Sequence, residues 1–295
     1  MSSSPLSQEP AAIARRKSAW ALPLRVASAL LFVPLLWLLV SRGGAAFFTF
    51  VVVQVILGLL EFYGMMRNKG LEPRLWLGLV SGVGVQWIAY RPEGAQADFL
   101  ITASLLLALG LSLRNSVRPR QVENIAVTGL GVLYVGWLSA HLLLLRELPW
   151  RAGTSYATGA SFVFLAFFVT WSCDTGAYAV GRLWGRVRPW GTISPRKSLE
   201  GAAGGFVCAI AAAFIARAWF APYLRPIDAA GLGMLIGVFA QVGDFVESLL
   251  KRDARHADSS DLIPGHGGVL DRFDSLYFGA PIVFYYLRLI VFQAP

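Results

Sequence analysis

Charge is scarce in this sequence. Asp, Glu, Lys and Arg make up 15% of its 295 residues, where an ordinary soluble domain carries about 25%. Apolar residues reach 56% and the mean hydropathy is +0.58. The apolar runs are too long and too numerous to be core strands, which excludes a soluble globular chain. Cysteine is nearly absent. Cys173 and Cys208 both sit in apolar segments, so neither a disulfide framework nor a zinc site is expected. No internal repeat is present, and no polar stretch is long enough to fold alone. A clear small-residue cleavage site is also missing after the basic patch Arg15, Arg16 and Lys17. The apolar stretch that follows is therefore expected to be a retained helix, not a signal peptide.

What is plentiful is hydrophobic length. A span of roughly 20 apolar residues crosses a bilayer. By that measure about nine candidate helices lie near 19–41, 44–63, 74–90, 97–113, 123–145, 159–181, 200–220, 227–250 and 270–292. The expected fold is all-α: a polytopic integral membrane protein with a disordered N-terminus over 1–18. Residues 19–158 read as scaffold helices, because their acids (Glu61, Glu72, Glu93, Asp98) sit near segment ends. Residues 159–295 read as the functional region.

The formal charge of +9 and pI near 9.9 are spread over short loops. This fits the positive-inside bias and attraction to anionic lipid, and gives no support to a nucleic-acid partner. With the N-terminus in the cytoplasm, the inner segments hold most of the Arg and Lys, including Lys69, Arg120, Arg188, Lys197, Lys251 and Arg252. The outer ones hold Arg42, Arg91, Arg146, Arg151 and Arg225. That asymmetry predicts a multi-pass protein of the plasma (inner) membrane, with its polar loops cytoplasmic.

Those polar loops carry the chemistry. Asp244 and Glu247 are three residues apart and share a helix face, and Asp271 and Asp274 repeat the spacing. Two such pairs at one interface would form an oxygen-rich pocket suited to Mg²⁺. Ordinary ion pairs with Lys251, Arg252 or Arg272 are the competing explanation. Between the pairs lies Pro264-Gly265-His266-Gly267-Gly268. Its glycines could turn backbone N–H groups toward a phosphate at a helix N-terminus, or simply form a tight turn. His266 could bind a phosphate or cap the loop. A second cluster holds Asp174 in WSCDTGAYAVGR and then Ser194-Pro195-Arg196-Lys197-Ser198-Leu199-Glu200-Gly201. Arg196 and Lys197 suit phosphate gripping, whereas Arg182, Arg186 and Arg188 read as ordinary loop charge. Gly201, Gly204 and Gly205 fit close helix packing. His141 reads as a satisfied or interfacial residue and His256 as a solvated one.

In order and spacing, these motifs resemble those of the CDP-diacylglycerol synthase (phosphatidate cytidylyltransferase) family. The family's Gly-Asp-x-x-Glu-Ser is matched by Gly243, Asp244, Glu247 and Ser248. Its Ser-x-aliphatic-Lys-Arg is matched by Ser248 to Arg252, and its Pro-Gly-His-Gly-Gly-x-x-Asp-Arg-x-Asp by Pro264 to Asp274. The upstream Ser-Pro-Lys-Lys-Thr-x-Glu-Gly is matched by Ser194 to Gly201, and Asp-x-Gly-Ala-Tyr-x-x-Gly by Asp174 to Gly181. The sequence departs at Ala257 (family Lys), Ser198 (Thr) and Leu199 (Trp).

The resemblance implies a reaction of CTP with phosphatidic acid, giving CDP-diacylglycerol and diphosphate. It assigns Mg²⁺, alone or with a monovalent cation, to Asp244, Asp271 and Asp274. Lys197, Lys251, Arg252 and Arg272 become charge partners for phosphates. Asp244, Asp271, Lys251 and Arg252 would be catalytic. Asp174, Ser194, Arg196, Lys197, Glu200, Glu247, Ser248, His266, Gly267, Gly268 and Arg272 would bind substrate. CTP, phosphatidic acid and the bilayer are the partners implied, with a homodimer as compatible as a single chain. A cytidylyltransferase for another lipid phosphate, or a transporter, would share the hydrophobic pattern.

Overall fold

The computed structural model describes residues 31–91, 97–114, 120–152, 155–255 and 267–292. The described residues are helical with short connections and contain no strand. We label the helices in chain order. They are α1 (Leu31–Arg42), α2 (Gly44–Asn68), α3 (Leu75–Tyr90) and α4 (Ala97–Arg114). Helix α5 is continuous through Gln121–Gly131, the π-helical turn Val132–Trp137 and Leu138–Ala152. Then follow α6 (Thr158–Trp184), α7 (Leu199–Trp219) and α8 (Pro226–Asp253). Helix α9 is Leu270–Tyr286, extended by a π-helical turn at Leu287–Val291.

These segments fall where the hydrophobic runs predict helices. Five of them, α2, α5, α6, α7 and α8, are long and apolar enough to cross a membrane. At about 1.5 Å per residue, the 25 residues of α2 exceed the ~30 Å hydrocarbon core. Trp76, Val80 and Leu106 each expose more than 60% of their surface, as suits side chains whose solvent is lipid. Inside, Val51, Val55, Leu59 and Phe62 of α2 are fully buried against the other helices. With hydrocarbon on both sides of that boundary, close packing rather than water exclusion holds the helices together.

Helices α6 and α7 pack along small residues. A Cβ on Gly201 would meet the Ala177 carbonyl at 2.8 Å, and one on Gly205 the Cys173 carbonyl at 2.9 Å. These glycines therefore permit the close approach the sequence suggests. The α7 start is fixed by Ser198, whose Oγ accepts the Gly201 N–H at 3.1 Å. His141 is buried in α5 with Nδ1 3.0 Å from the Trp137 carbonyl and its ring among Trp137, Phe284 and Tyr285. The expected N-terminal disorder over 1–18 and the surroundings of His256 and Ala257 lie outside the described residues.

Two ends can be told apart by their contacts. At one end the α2–α3 connection meets the end of α8 through the Lys69–Asp253 ion pair, and Arg252 Nε donates to the Ile193 carbonyl at 3.3 Å. The basic loops after α2, α6 and α8 thus share one end. At the other end Arg146, fully buried, gathers α1, α2, α5 and the chain before α6.

Candidate active site

The site forms where the last turns of α6 and α8 meet the first turns of α7 and α9. Helix α8 brings Asp244 and Glu247 to one face. Helix α9 starts beside it, so Asp274 lies opposite them. One oxygen from each of Asp244, Glu247 and Asp274 falls within 4.8 Å of the others. The approach depends on Gly243: a Cβ there would stand 2.6 Å from the Asp274 carbonyl oxygen.

The electrostatics of this group are unbalanced. Lys197 Nζ lies 2.8 Å from Asp244 Oδ1, and Lys251 Nζ bridges Glu247 Oε2 at 2.5 Å and Asp271 Oδ1 at 2.7 Å. Asp174 and Asp274 instead use Ser275, whose Oγ donates to Asp174 Oδ1 at 3.1 Å and whose N–H donates to Asp274 Oδ1 at 2.7 Å. Glu247 is fully buried, with Lys251 as its cationic partner. Carboxylates this close repel strongly in a low-dielectric interior unless a cation joins them. Ligands of a six-coordinate Mg²⁺ ion at ~2.1 Å are ~3.0 Å apart when adjacent and ~4.2 Å when opposite, both within the 4.8 Å limit that encloses these oxygens. A hard divalent cation is thus what Asp244, Glu247 and Asp274 could hold.

The expected residues divide by position. Asp271 stands outside the three-carboxylate group and secures its surroundings. Its Oδ1 receives Lys251 and its Oδ2 accepts the Gly268 N–H at 2.8 Å. Gly267 has φ +77°, and a Cβ there would come 2.8 Å from Asp271 Oδ2, so glycine suits this tight turn. The N–H groups of Val269 and Leu270 are taken by Glu61 of α2, at 2.9 and 2.8 Å. Three backbone donors around the α9 start, which a phosphate could have used, thus already serve carboxylates. Glu200 anchors the α6–α7 loop by accepting the Arg186 and Val187 N–H groups at 3.0 and 3.2 Å. Ser248 is buried beside Glu247, and Arg272 is exposed on the first turn of α9. His266 lies outside the described residues.

Beside the acids opens a cavity of about 470 Å³. Asp174, Ser194, Arg196, Lys197 and Asp244 line it, as the sequence suggests for a ligand site. So do Arg182 and Arg188, which the sequence alone presents as loop charge, along with Tyr178, Trp190, Gln241 and Phe245. Part of this could have been found by periodicity. Asp174, Tyr178 and Arg182 recur every four residues on α6, and Arg182 Nη1 donates to Tyr178 Oη at 2.8 Å. Trp190 and Phe245 meet with ring centroids 4.8 Å apart, and Lys197 Nζ sits 3.8 Å over the Phe245 ring. That contact joins loop to helix and has no local sequence signal. Gln241 Nε2 donates to the Ala202 and Gly237 carbonyls at 3.0 and 2.6 Å, tying α8 to α7 at the cavity wall.

A cavity with four cationic side chains beside a cluster of carboxylates can hold a polyanion against a metal. Comparison with known proteins agrees in kind. Residues 23–290 match the cytidylyltransferase family. The chain is 33% identical over 289 residues to a phosphatidate cytidylyltransferase of Synechocystis sp., covering 90% of this chain and 97% of that one. It is 32% identical over 250 residues to the Bacillus subtilis protein of that name, covering 81% and 89%. To that of Staphylococcus saprophyticus it is 29% identical over 259 residues, covering 86% and 93%. With a match across nearly its whole length, the chain belongs to the cytidylyltransferase family.

Proposed function

We propose that this protein transfers a cytidylyl group from CTP to phosphatidic acid, forming CDP-diacylglycerol and releasing diphosphate. The observation that carries this reading is the cavity lined by Arg182, Arg188, Arg196 and Lys197, which opens directly onto Asp244 of the carboxylate group. An oxygen of the lipid phosphate attacks the α-phosphorus of CTP. The new P–O bond forms as the bond to the bridging oxygen breaks, and diphosphate leaves with the electron pair. The attacking oxygen is already ionised at neutral pH, so no general base is needed.

Both reactants are polyanions, which makes charge neutralisation and alignment the main tasks. Arg182, Arg188 and Arg196 supply fixed positive charge along the cavity. Arginine suits this because its planar fork can grip phosphate oxygens two at a time. Lys197 lines the same cavity while touching Asp244, so it can follow phosphate charge toward the acids. Lys251 holds Glu247 and Asp271 in register. Asp244, Glu247 and Asp274 would hold a Mg²⁺ ion, which would supply positive charge against the developing charge of the leaving diphosphate. Helices long and apolar enough to span a bilayer leave the acyl chains in lipid while the head group meets the nucleotide. The basic loops gathered at this end favour a cytoplasmic site in the plasma membrane.

The test is diphosphate release by purified protein in detergent with CTP, Mg²⁺ and phosphatidic acid, omitting each in turn. Release that needs all three is the expected result. Release with a different lipid phosphate but not with phosphatidic acid would overturn the acceptor, and tracer flux without CTP would overturn the reaction.

A further inference from the structure

Helix α2 lies in the half of the chain that reads as scaffold, yet it holds the helix that carries Asp271 and Asp274. Glu61 is 7% exposed, and its carboxylate accepts both Val269 N–H (at Oε1, 2.9 Å) and Leu270 N–H (at Oε2, 2.8 Å). These are among the first donors of α9, which have no partner within their own helix. A carboxylate there also meets the positive end of the helix dipole.

A second contact lies two turns away. Gln54, 4% exposed, donates from Nε2 to Tyr277 Oη at 2.8 Å. Gln54 and Glu61 are seven residues apart on α2, and Tyr277 is seven residues beyond Leu270 on α9. Helices rise ~1.5 Å per residue, so the two contacts are ~10 Å apart along both helices and match an antiparallel alignment. Asp274 sits between them. Gly58, midway on α2, keeps the interface close: a Cβ there would stand 3.2 Å from Tyr277 Oη.

We infer that Gln54 and Glu61 form a two-point clamp that sets the height and rotation of α9, making Glu61 a positioning residue for the reaction. Added to the close packing of α9 on α8 at Gly243, the two points set where Asp274 faces Asp244 and Glu247. The nucleotide cavity is lined from α6, α7, α8 and the α6–α7 loop, and α9 reaches it through Ser275 Oγ on Asp174. The clamp's catalytic consequence rests on the proposed reaction, but the clamp itself can be read without turnover.

Glu61→Gln keeps the size but offers one acceptor oxygen where two N–H groups need one each. Amide hydrogen exchange over 269–277, without metal or substrate, should quicken about tenfold relative to wild type. In the diphosphate assay kcat should fall about tenfold and half-activity should need several times more Mg²⁺, while KM for CTP stays within twofold. Glu61→Asp, which keeps both acceptors, should recover part of the loss. Unchanged exchange, or unchanged kcat and Mg²⁺ response in the folded variant, would overturn the inference. So would a lowered melting point with full activity per folded molecule. If Glu61→Gln yields no folded protein, Gln54→Met decides by the same measurements. If wild type releases no diphosphate, the functional reading falls instead, and exchange together with Mn²⁺ binding followed by electron paramagnetic resonance decides the clamp.

Discussion

Asp271 and Asp274 lie three residues apart on one helix, yet they face different neighbours. Asp274 shares a 4.8 Å space with Asp244 and Glu247, while Asp271 is bound to Lys251 and to its own helix start. Family resemblance treats both as metal ligands; the geometry places Asp274 in the three-carboxylate group and Asp271 beside it on Lys251. Replacing a residue that orients a ligand costs roughly 10–100-fold in metal affinity or activity. Asp271→Asn is therefore expected in that range, and Asp274→Asn below it in activity. A Mg²⁺ titration of diphosphate release by each variant checks the order. If Asp271→Asn is the more damaging and its loss is not relieved by added Mg²⁺, Asp271 belongs among the ligands. Lys251 is pinned between Glu247 and Asp271, so Lys251→Met would leave two close carboxylates without their shared cation. Losing one partner of a buried ion pair is strongly destabilising, on the order of 3–5 kcal/mol. Reduced yield of folded protein should accompany the loss of activity.

Among the elements, α8 and α9 meet through a missing side chain. A methyl at Gly243 would need the Asp274 carbonyl, 2.6 Å from the Cβ position, to move. Backbone in a packed interface yields little. Gly243→Ala should thus cut activity strongly by separating the carboxylate pairs. Gly64→Ala on α2, where nothing lies within 4 Å of the added Cβ, should leave activity intact and favour the helix by up to ~1 kcal/mol. Equal activity of the two variants would show that α8 and α9 need not approach so closely. The contrast also marks what the sequence made legible. Hydrophobic run length predicts where the helices fall, and five of them are long enough to cross a layer of fixed thickness. Glycines at 201 and 205 reveal a close helix pair by their spacing alone. Which of four acids face one another depends on how α8 and α9 are rotated, and that is set by contacts hundreds of residues apart. Glu61 meeting Val269 is such a contact, and no local pattern around Glu61 signals it.

At the scale of the molecule, loop charges foretold which connections lie together, since Lys69, Arg252 and the loop around Ile193 meet at one end. They did not foretell Arg146, which counts as an outer loop charge in sequence but is 1% exposed. Its Nε donates to the Val40 carbonyl at 2.9 Å, Nη1 to Tyr156 at 2.9 Å and Nη2 to Ser41 at 3.3 Å. The guanidinium also lies 3.9 Å over the Tyr156 ring, whose hydroxyl donates to Glu147 at 2.8 Å and accepts the Gly44 N–H at 3.0 Å. Gly43, with φ +62°, has no room for a Cβ beside it. One side chain thus closes the end of the bundle opposite the active site, joining α1, α2, α5 and the approach to α6. Arg146→Ala would take its donor from the carbonyl of buried Val40, at a cost of about 1–3 kcal/mol. For a chain of this size that corresponds to a fall in melting midpoint of roughly 5 °C, measurable by scanning fluorimetry in detergent. Because the staple and the carboxylates sit at opposite ends, activity per folded molecule should hold at temperatures below that midpoint. A variant that melts normally but loses turnover would show instead that the two ends are coupled through α5 and α6, and that Arg146 acts on the site at a distance.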